Sequence, residues 1–585
     1  REASLSDPLL SRYSVIMIDE AHELNYNTEI LLGVLKKIRR KRKDLRIIVC
    51  SATIDAKSFL DFFIPNNISD EKVPKDKEHN AKSRRNRWGR VVNDIEQEPE
   101  ETGDRDNGIE NRGTIISIDG RQHPVDVLFS EKPVADYVEA TVDTVLRLIL
   151  QDLKNPDSGD ILCFLATGEE IDRAVRTGEH RIDSMGIING GPAASHILFL
   201  PLYGTLPYNL QSRVFQPKPA SDTRRRVIFA TNIAETSVTV PNVSAVVDCG
   251  FVKLPYFDQT TGFDRLITAP ISHASASQRA GRAGRLRPGK CYRLYTEAAM
   301  SNTMESNAEP EILRTNLSSF ILMLKALGIH NVLSFDLLNV PPIPSLSQGL
   351  ETLYALGAID QATNLTKLGL KMSEFPTEPR LSRILLESFT SRCSEEILNI
   401  VSALQVRSLF HQPRTPKQQI DYDAAMDEIM DSTSDHVTYL KLMQMHEKTP
   451  LNEHDCKERF VNRMALKRAC EVKHQLRRFL RRYGQIEGLE NGQSEEEVSS
   501  ICKRVITSGL FPNTAKLGND GRYYSLRGGN MISISTSSVL HKHGMSSEYI
   551  MFSETYDGSR GGIEVRHVTF LEAKWLREIA PHYFK

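Results

Sequence analysis

Asp19 and Glu20 stand side by side directly after four apolar residues, Val15 to Ile18, and are followed by Ala21 and His22. A strand delivering two adjacent carboxylates suits work on a phosphate: one acid holds a divalent ion, the other orients and deprotonates a water. A bare acidic pair is weak evidence, because a capped turn uses the same residues. A second set lies far down the chain, in "SASQRAGRAGR" (275–285). Gln278, Arg282 and Arg285 are spaced so that a loop and helix start point them at one phosphate. Guanidinium groups stabilise the charge that spreads in phosphoryl transfer. The competing reading, a basic surface turn, has no reason to require this spacing. Together the two sets suit hydrolysis of a phosphoanhydride.

Such a site also needs a loop that cradles phosphates, G-x-x-x-x-G-K-[ST]. The segment "GRLRPGKC" (284–291) comes near it and fails. Cys291 has no hydroxyl to offer Mg²⁺, and the segment overlaps the arginine run instead of joining a strand to a helix. The chain opens on Arg1 in mid-pattern. We expect it to be an N-terminally truncated piece whose phosphate loop would precede the strand at 15–18. Alone it is then expected to bind ATP poorly and not to hydrolyse it.

The elements that must position these residues are legible as short apolar runs: 15–19, 46–53, 160–168, 226–232 and 243–250. Runs of this length alternating with helical patterns predict parallel sheets covered on both faces. Polar residues follow the strands (Asp19 and Glu20, Ser51 and Thr53, Thr167, Thr231 and Asn232), and open parallel sheets bind ligands at that edge. Residues 65–113 carry a basic half and an acidic half with few aliphatics, which predicts a disordered insertion. After 300 the alternation stops. Leu317, Phe320, Ile321, Leu324 and Leu327 mark one apolar helix face, and 350–369 has the rhythm of a small winged helix. Residues 370–485 read as all-helical, with the most basic helix at 461–484. The last hundred return to short strands with glycine-rich turns, predicting a small barrel.

Composition sets outer limits. At 585 residues the chain holds several domains, and 40% hydrophobic with 25% charged residues is ordinary for globular protein. No apolar run approaches the ~20 residues of a membrane helix, so no membrane partner is expected. The eight cysteines form no C-x-x-C pair and read as reduced, intracellular thiols. Net charge is −1, so any nucleic-acid surface must come from local placement of Lys and Arg. The run "KKIRRKRKD" (36–44) is read as a solvated helix end in preference to a nuclear-import or RNA patch, and "RRFLRR" (477–482) as a candidate lining of an RNA channel.

In order, "DEAH" (19–22), "SAT" (51–53), "TNIAETSVTVPNV" (231–243) and "QRAGRAGR" (278–285) resemble motifs II, III, V and VI of the DEAH/RHA group of superfamily 2 RNA helicases. "LPLYGTLP" (200–207), "CYRLYT" (291–296), "PEILRTNL" (310–317) and "WLREIAPHYF" (575–584) extend the resemblance over nearly the whole chain. It implies an α/β fold of two RecA-like domains followed by winged-helix, helical ratchet and OB-like domains. The expected boundaries are 1–118 (part of the first RecA-like domain), 119–298 (the second), 299–368, 369–485 and 486–585. Asp19 and Glu20 would be the Mg²⁺ and water-activating acids. His22, Ser51 and Thr53 would couple nucleotide state to domain closure. Ser237 would sense the γ-phosphate, and Gln278, Arg282 and Arg285 would reach it. Phe215 resembles an aromatic on which the base stacks, with a core Phe at a helix end as the other reading. Thr231 and Asn232 would meet RNA backbone, and 250–272 resembles a strand-separating hairpin.

Two departures stand out: Leu24 where the family usually has Arg, and Pro241 where many relatives have Asp. The implied activity is ATP-dependent, Mg²⁺-requiring remodelling of single-stranded RNA or pre-mRNA in the nucleus. Spliceosomal proteins and a glycine-rich-patch activator would be the partners. A non-catalytic RNA-binding scaffold is the alternative, and a DNA translocase shares the same motor. Glu20, Arg282 and Arg285 together argue against the scaffold.

Overall fold

The computed structural model describes residues 7–51, 56–64, 113–118, 123–152, 159–189, 197–204, 206, 208–216, 224–235, 239–406, 408–411, 413, 416–489, 492–543, 546–557 and 562–584. The proposed insertion, apart from Gly113, lies outside them, as do Thr53 and Ser237. The chain forms two compact units, 1–22 with 31–119 and 23–30 with 120–585.

In the first unit, β1 (Val15–Ile18) pairs in parallel with β2 (Arg46–Val49), Ile18 opposite Val49. The helix Tyr26–Lys41 continues into this unit from Leu31, and its last turn holds Arg39, Arg40 and Lys41. The expectation of strands covered on both faces fails here. Val15 is exposed and Met17 is 62% exposed, because among the described residues the sheet has two strands and none covers that face of β1.

The second unit meets that expectation. Its six-stranded sheet joins β3 (Val125–Phe129), β4 (Asp160–Phe164), β5 (Ile197–Leu202), β6 (Arg225–Ala230), β7 (Val243–Asp248) and β10 (Gly289–Arg293) in the order β3-β10-β7-β4-β6-β5. All five pairings are parallel. The side-chain period of two sorts one strand between two cores. Ile161 and Cys163 of β4 join Val142, Ile171 and Val227, while Leu162 and Phe164 join Leu202, Ile228 and Ala280. At the amino end of β4, buried Asp160 accepts from the Arg226 backbone N–H and from Nε at 2.9 Å. This ion pair locks the edge opposite the polar loops.

Between β7 and β10 runs the antiparallel pair β8 (Phe251–Asp258) and β9 (Phe263–Pro270). Its tip is tied down: the Asp258 carboxylate accepts from Thr260 N–H at 2.9 Å, and Gln259 Nε2 donates to Ser345 Oγ at 2.7 Å. Phe263 is buried against Phe552, ring centroids 5.6 Å apart. Helices then follow from Glu297 to Leu510, interrupted by the Ile359–Leu365 bridge. A closed barrel ends the fold: β11 (Thr514–Leu517), β12 (Tyr523–Ser525), β13 (Met531–Ile534), β15 (Ile563–Leu571) and β14 (Tyr549–Asp557). The helix Asp435–Lys448 is stapled to it. The buried Asp435 carboxylate accepts from Val539 N–H, Val568 N–H and Ser538 Oγ. His436 sits between Thr569 Oγ1 and Ser553 Oγ, each at 2.7 Å. The α/β class, with a helical region and a barrel after a parallel sheet, is the one expected.

Candidate nucleotide site

In the first unit Asp19 and Glu20 leave the carboxyl end of β1. Cys50 N–H donates to Ile18 O at 2.8 Å and Ala21 N–H donates to Cys50 O at 3.0 Å, carrying the ladder one step past both strands. That cross-bond sets the "DEA" and "CSA" segments side by side, so Asp19, Glu20 and Ser51 leave the same sheet edge. Glu20 has φ +50°, a region that non-glycine residues seldom occupy. Its backbone N–H donates to Asp19 Oδ1 at 2.9 Å. His22 Nε2 lies 3.5 Å from Glu20 Oε2, the imidazole largely buried and the carboxylate half-exposed.

In the second unit, Thr231 and Asn232 follow the carboxyl end of β6, whereas Gln278, Arg282 and Arg285 lie on and after the helix His273–Gly281, which leads to the amino end of β10. Thr231 N–H donates to Leu202 O at 3.1 Å, and Thr231 precedes the short turn Asn232–Ala234. The helix His273–Gly281 starts where Ser272 Oγ accepts from Ser275 N–H, and Ala276, Arg279 and Ala280 form its buried face. Gln278 lies beside that face, half-buried. Arg282 is buried and donates to Glu235 O. Arg285 is exposed, its Nη1 donating to Thr239 Oγ1 at 2.5 Å. Arg287 donates to Asn242 Oδ1 at 2.6 Å. The segments 231–243 and 275–287 are thus stitched at successive positions.

The centre of that stitching is Arg279, which the sequence analysis did not single out. It is fully buried. Its Nε donates to Glu235 Oε2 at 2.9 Å, its Nη1 to Asp248 Oδ1 at 2.8 Å, and its guanidinium lies 4.8 Å from the Phe164 ring centroid. Ser275 Oγ donates to the other Glu235 oxygen, and Tyr295 OH donates to Asp248 Oδ2 at 3.0 Å. Burial works against its charge, and the two carboxylates more than offset this, holding its pKa above the ordinary arginine value. The nearby Cys249 thiol is pushed up to about 12 by burial and stays neutral. A signal for Arg279 did exist: an arginine on the face shared by Ala276 and Ala280 needs buried acids, which "AET" and "VVDCG" offer.

Phe215 ends the helix Tyr208–Phe215 half-buried, packed on the core of Leu202, Val214 and Ile228. The rejected segment 284–291 runs from a turn into β10, not from a strand into a helix. Arg477 of the basic helix is paired with Glu395. Among the described residues no group of three or more His, Cys, Asp or Glu could hold a metal, and no helix is long and apolar enough to cross a membrane. All eight cysteines are free.

Four family descriptions match along the chain. They are the helicase conserved C-terminal domain (141–287), the winged-helix (349–377) and ratchet-like (378–439) parts of the helicase associated domain, and an oligonucleotide/oligosaccharide-binding fold (502–583). The "Probable ATP-dependent RNA helicase DHX35" of Pongo abelii is 38% identical over 583 residues, 99% of this chain and 73% of that protein. The human protein of the same name is 37% identical, with 74% of its length covered. The pre-mRNA-splicing factor ATP-dependent RNA helicase prp22 of Schizosaccharomyces pombe is 38% identical, with 44% of its length covered. With identity of this order along almost its whole length, the chain belongs to the DEAH-box family of RNA helicases.

Proposed function

We propose that the protein couples ATP hydrolysis to the remodelling of RNA or ribonucleoprotein, in nuclear pre-mRNA splicing. The observation carrying this reading is the Glu235–Arg279–Asp248 network. It ties the helix His273–Gly281 to Glu235 after β6 and to Asp248 at the carboxyl end of β7, the edge at which open parallel sheets bind ligands. A fold that needed only to bind RNA would have no need of Glu20, Arg282 and Arg285 together.

Each residue then has a role. Glu20 orients and deprotonates the attacking water, with His22 beside it. Asp19 would hold Mg²⁺. Two oxygen donors at an exposed strand end, without a third acidic or histidine ligand among the described residues, suit an ion that keeps water and phosphate in its other positions. When bound, that ion neutralises charge on the β- and γ-phosphates. Arg282 and Arg285, with Gln278, stabilise the negative charge that grows on the transferred phosphoryl oxygens. Ser237 and Phe215 contact the nucleotide, Ser51 and Thr53 relay its state, and Thr231 and Asn232 meet RNA backbone. RNA binding is then mostly electrostatic and weak in sequence preference. A spliceosomal setting is supported by the likeness to prp22. We further propose the domain boundaries given above and regulation by a glycine-rich-patch activator.

The 585 residues contain no G-x-x-x-x-G-K-[ST] sequence, so this chain alone is expected not to turn ATP over. The test uses the natural full-length protein. Glu20→Gln should lower RNA-stimulated turnover at least a hundredfold while the KM for ATP stays within a few-fold. Undiminished turnover in Glu20→Gln would refute the assignment.

A further inference from the structure

The helix that follows the acidic pair changes allegiance along its length. Residues 23–30 belong to the second unit, whereas 1–22 and 31–119 form the first. What holds 23–30 there is specific. Glu29 is fully buried, and its Oε2 accepts from Leu338 N–H at 3.1 Å and Asn339 N–H at 3.4 Å, while Oε1 accepts from Asn339 Nδ2 at 2.5 Å. Glu311 makes a second attachment. Its Oε2 accepts from Tyr26 N–H at 3.0 Å and its own N–H donates to Leu24 O at 3.2 Å.

Glu29, like the buried Asp435, differs from Asp160 and Asp248, each of which holds an arginine. Glu29 meets only neutral donors, and burial raises its pKa against their pull. An acid kept buried on these terms is costly unless its geometry matters.

Between this attachment and the strand lies a short link under strain at both ends. Glu20 has φ +50° and Leu24 has φ +43°. Left-handed backbone at non-glycine residues persists only where the surroundings fix it. On one side the fixing bond is Ala21 N–H to Cys50 O, and on the other Glu311 N–H to Leu24 O.

We propose that Glu29 and Glu311 are positioning residues that clamp Leu24–Ile30 to the segment 311–339. A shift of that segment is then passed through the taut link Ala21–Leu24 to the Glu20 carboxylate. The functional half of this statement rests on Glu20 being the water-activating acid; the mechanical half does not. The clamp joins the region after 300 by hydrogen bonds to a four-residue covalent link that ends at the acidic pair.

The mechanical half is read by amide hydrogen exchange on the 585-residue chain. Glu29→Ala and Glu311→Ala should each speed exchange of the Ala21 amide about tenfold, although Ala21 touches neither glutamate. Glu29→Gln should stay near wild type, because its amide oxygen still accepts the two backbone N–H groups. If Glu29→Ala does not fold, Glu311→Ala carries the test, since it removes a single acceptor. An unchanged Ala21 amide in folded Glu311→Ala overturns the clamp. The functional half is read in the natural full-length protein with oligo(U) as the RNA. Glu311→Ala should lower kcat about tenfold, leaving the KM for ATP and the oligo(U) affinity within twofold. A normal kcat there, with Glu20→Gln inactive, overturns the transmission. A normal kcat in Glu20→Gln as well locates the failure in the reading of Glu20 itself.

Discussion

Replacing Arg279 by Met removes one guanidinium and strands two acids. Asp248 is fully buried and the Glu235 side chain is 10% exposed, so neither can be rehydrated without opening the loop 231–243 against the helix 273–281. Breaking a buried ion pair by deleting one partner costs roughly 3–5 kcal/mol. Methionine keeps most of the apolar contact with Phe164, so the loss is chiefly electrostatic. A loss of ~4 kcal/mol is a large share of the usual 5–15 kcal/mol of a domain and should lower Tm by about 10 °C. Differential scanning calorimetry of the 585-residue chain at pH 7.5 measures it.

The deficit comes from stranding two buried acids, so removing their charge should restore stability. The combination Arg279→Met, Glu235→Gln and Asp248→Asn should recover much of the loss, because a neutral hydrogen-bonded cluster has no stranded charge. A Tm within 2 °C of wild type for Arg279→Met alone would refute the argument, since it would mean the acids are solvated or already neutral.

Two further perturbations probe the C-terminal half. Burial lowers His436 to about 3, so the folded chain keeps it neutral while the unfolded chain protonates near 6.5. Its contribution is complete above pH 6.5 and falls as pH drops toward 3, by about 2 kcal/mol at pH 5. Denaturant melts across pH 5–8 should show that slope in wild type and lose this part of it in His436→Asn. A methyl group on Gly509 would lie 2.2 Å from Arg380 O and 2.6 Å from Ile384 Cγ1, where the helices Pro379–Glu387 and Glu495–Leu510 cross. Gly509→Ala should therefore destabilise the chain by about 3 kcal/mol, the upper end for overpacking, as read from the urea midpoint.

The chemistry-bearing residues were legible because they break apolar runs: "VIMI" ends in two acids, and "RVIFA" ends in Thr231 and Asn232. Unbroken burial of β4 and β6, and burial of all of β7 but Ser244, followed from the same pattern. The strand β10 escaped because "GKCYR" offers one buried Cys among polar neighbours, and its place is fixed by pairing with β3 and β7. For β5, Pro201 interrupts "ILFLPL", a residue tolerated here because β5 is the sheet's edge. Met17 misled in the opposite sense, since an apolar residue on a strand says nothing about whether a layer covers it. The pairing of Arg279 with its particular acids was illegible for a plainer reason. Glu235 and Asp248 are 44 and 31 positions away, and only the fold brings them within 3 Å.

The claim at the centre is that Glu20 and the arginines of 278–285 act on one phosphoryl group. Groups that act as a unit are non-additive when removed. In the natural full-length protein with saturating single-stranded RNA, Glu20→Gln and Arg285→Ala should each lower ATP turnover by about a hundredfold or more. The double variant should be no slower than the worse single one. Multiplying losses, or a silent Arg285→Ala, would show that the two sets do not meet on the same phosphate.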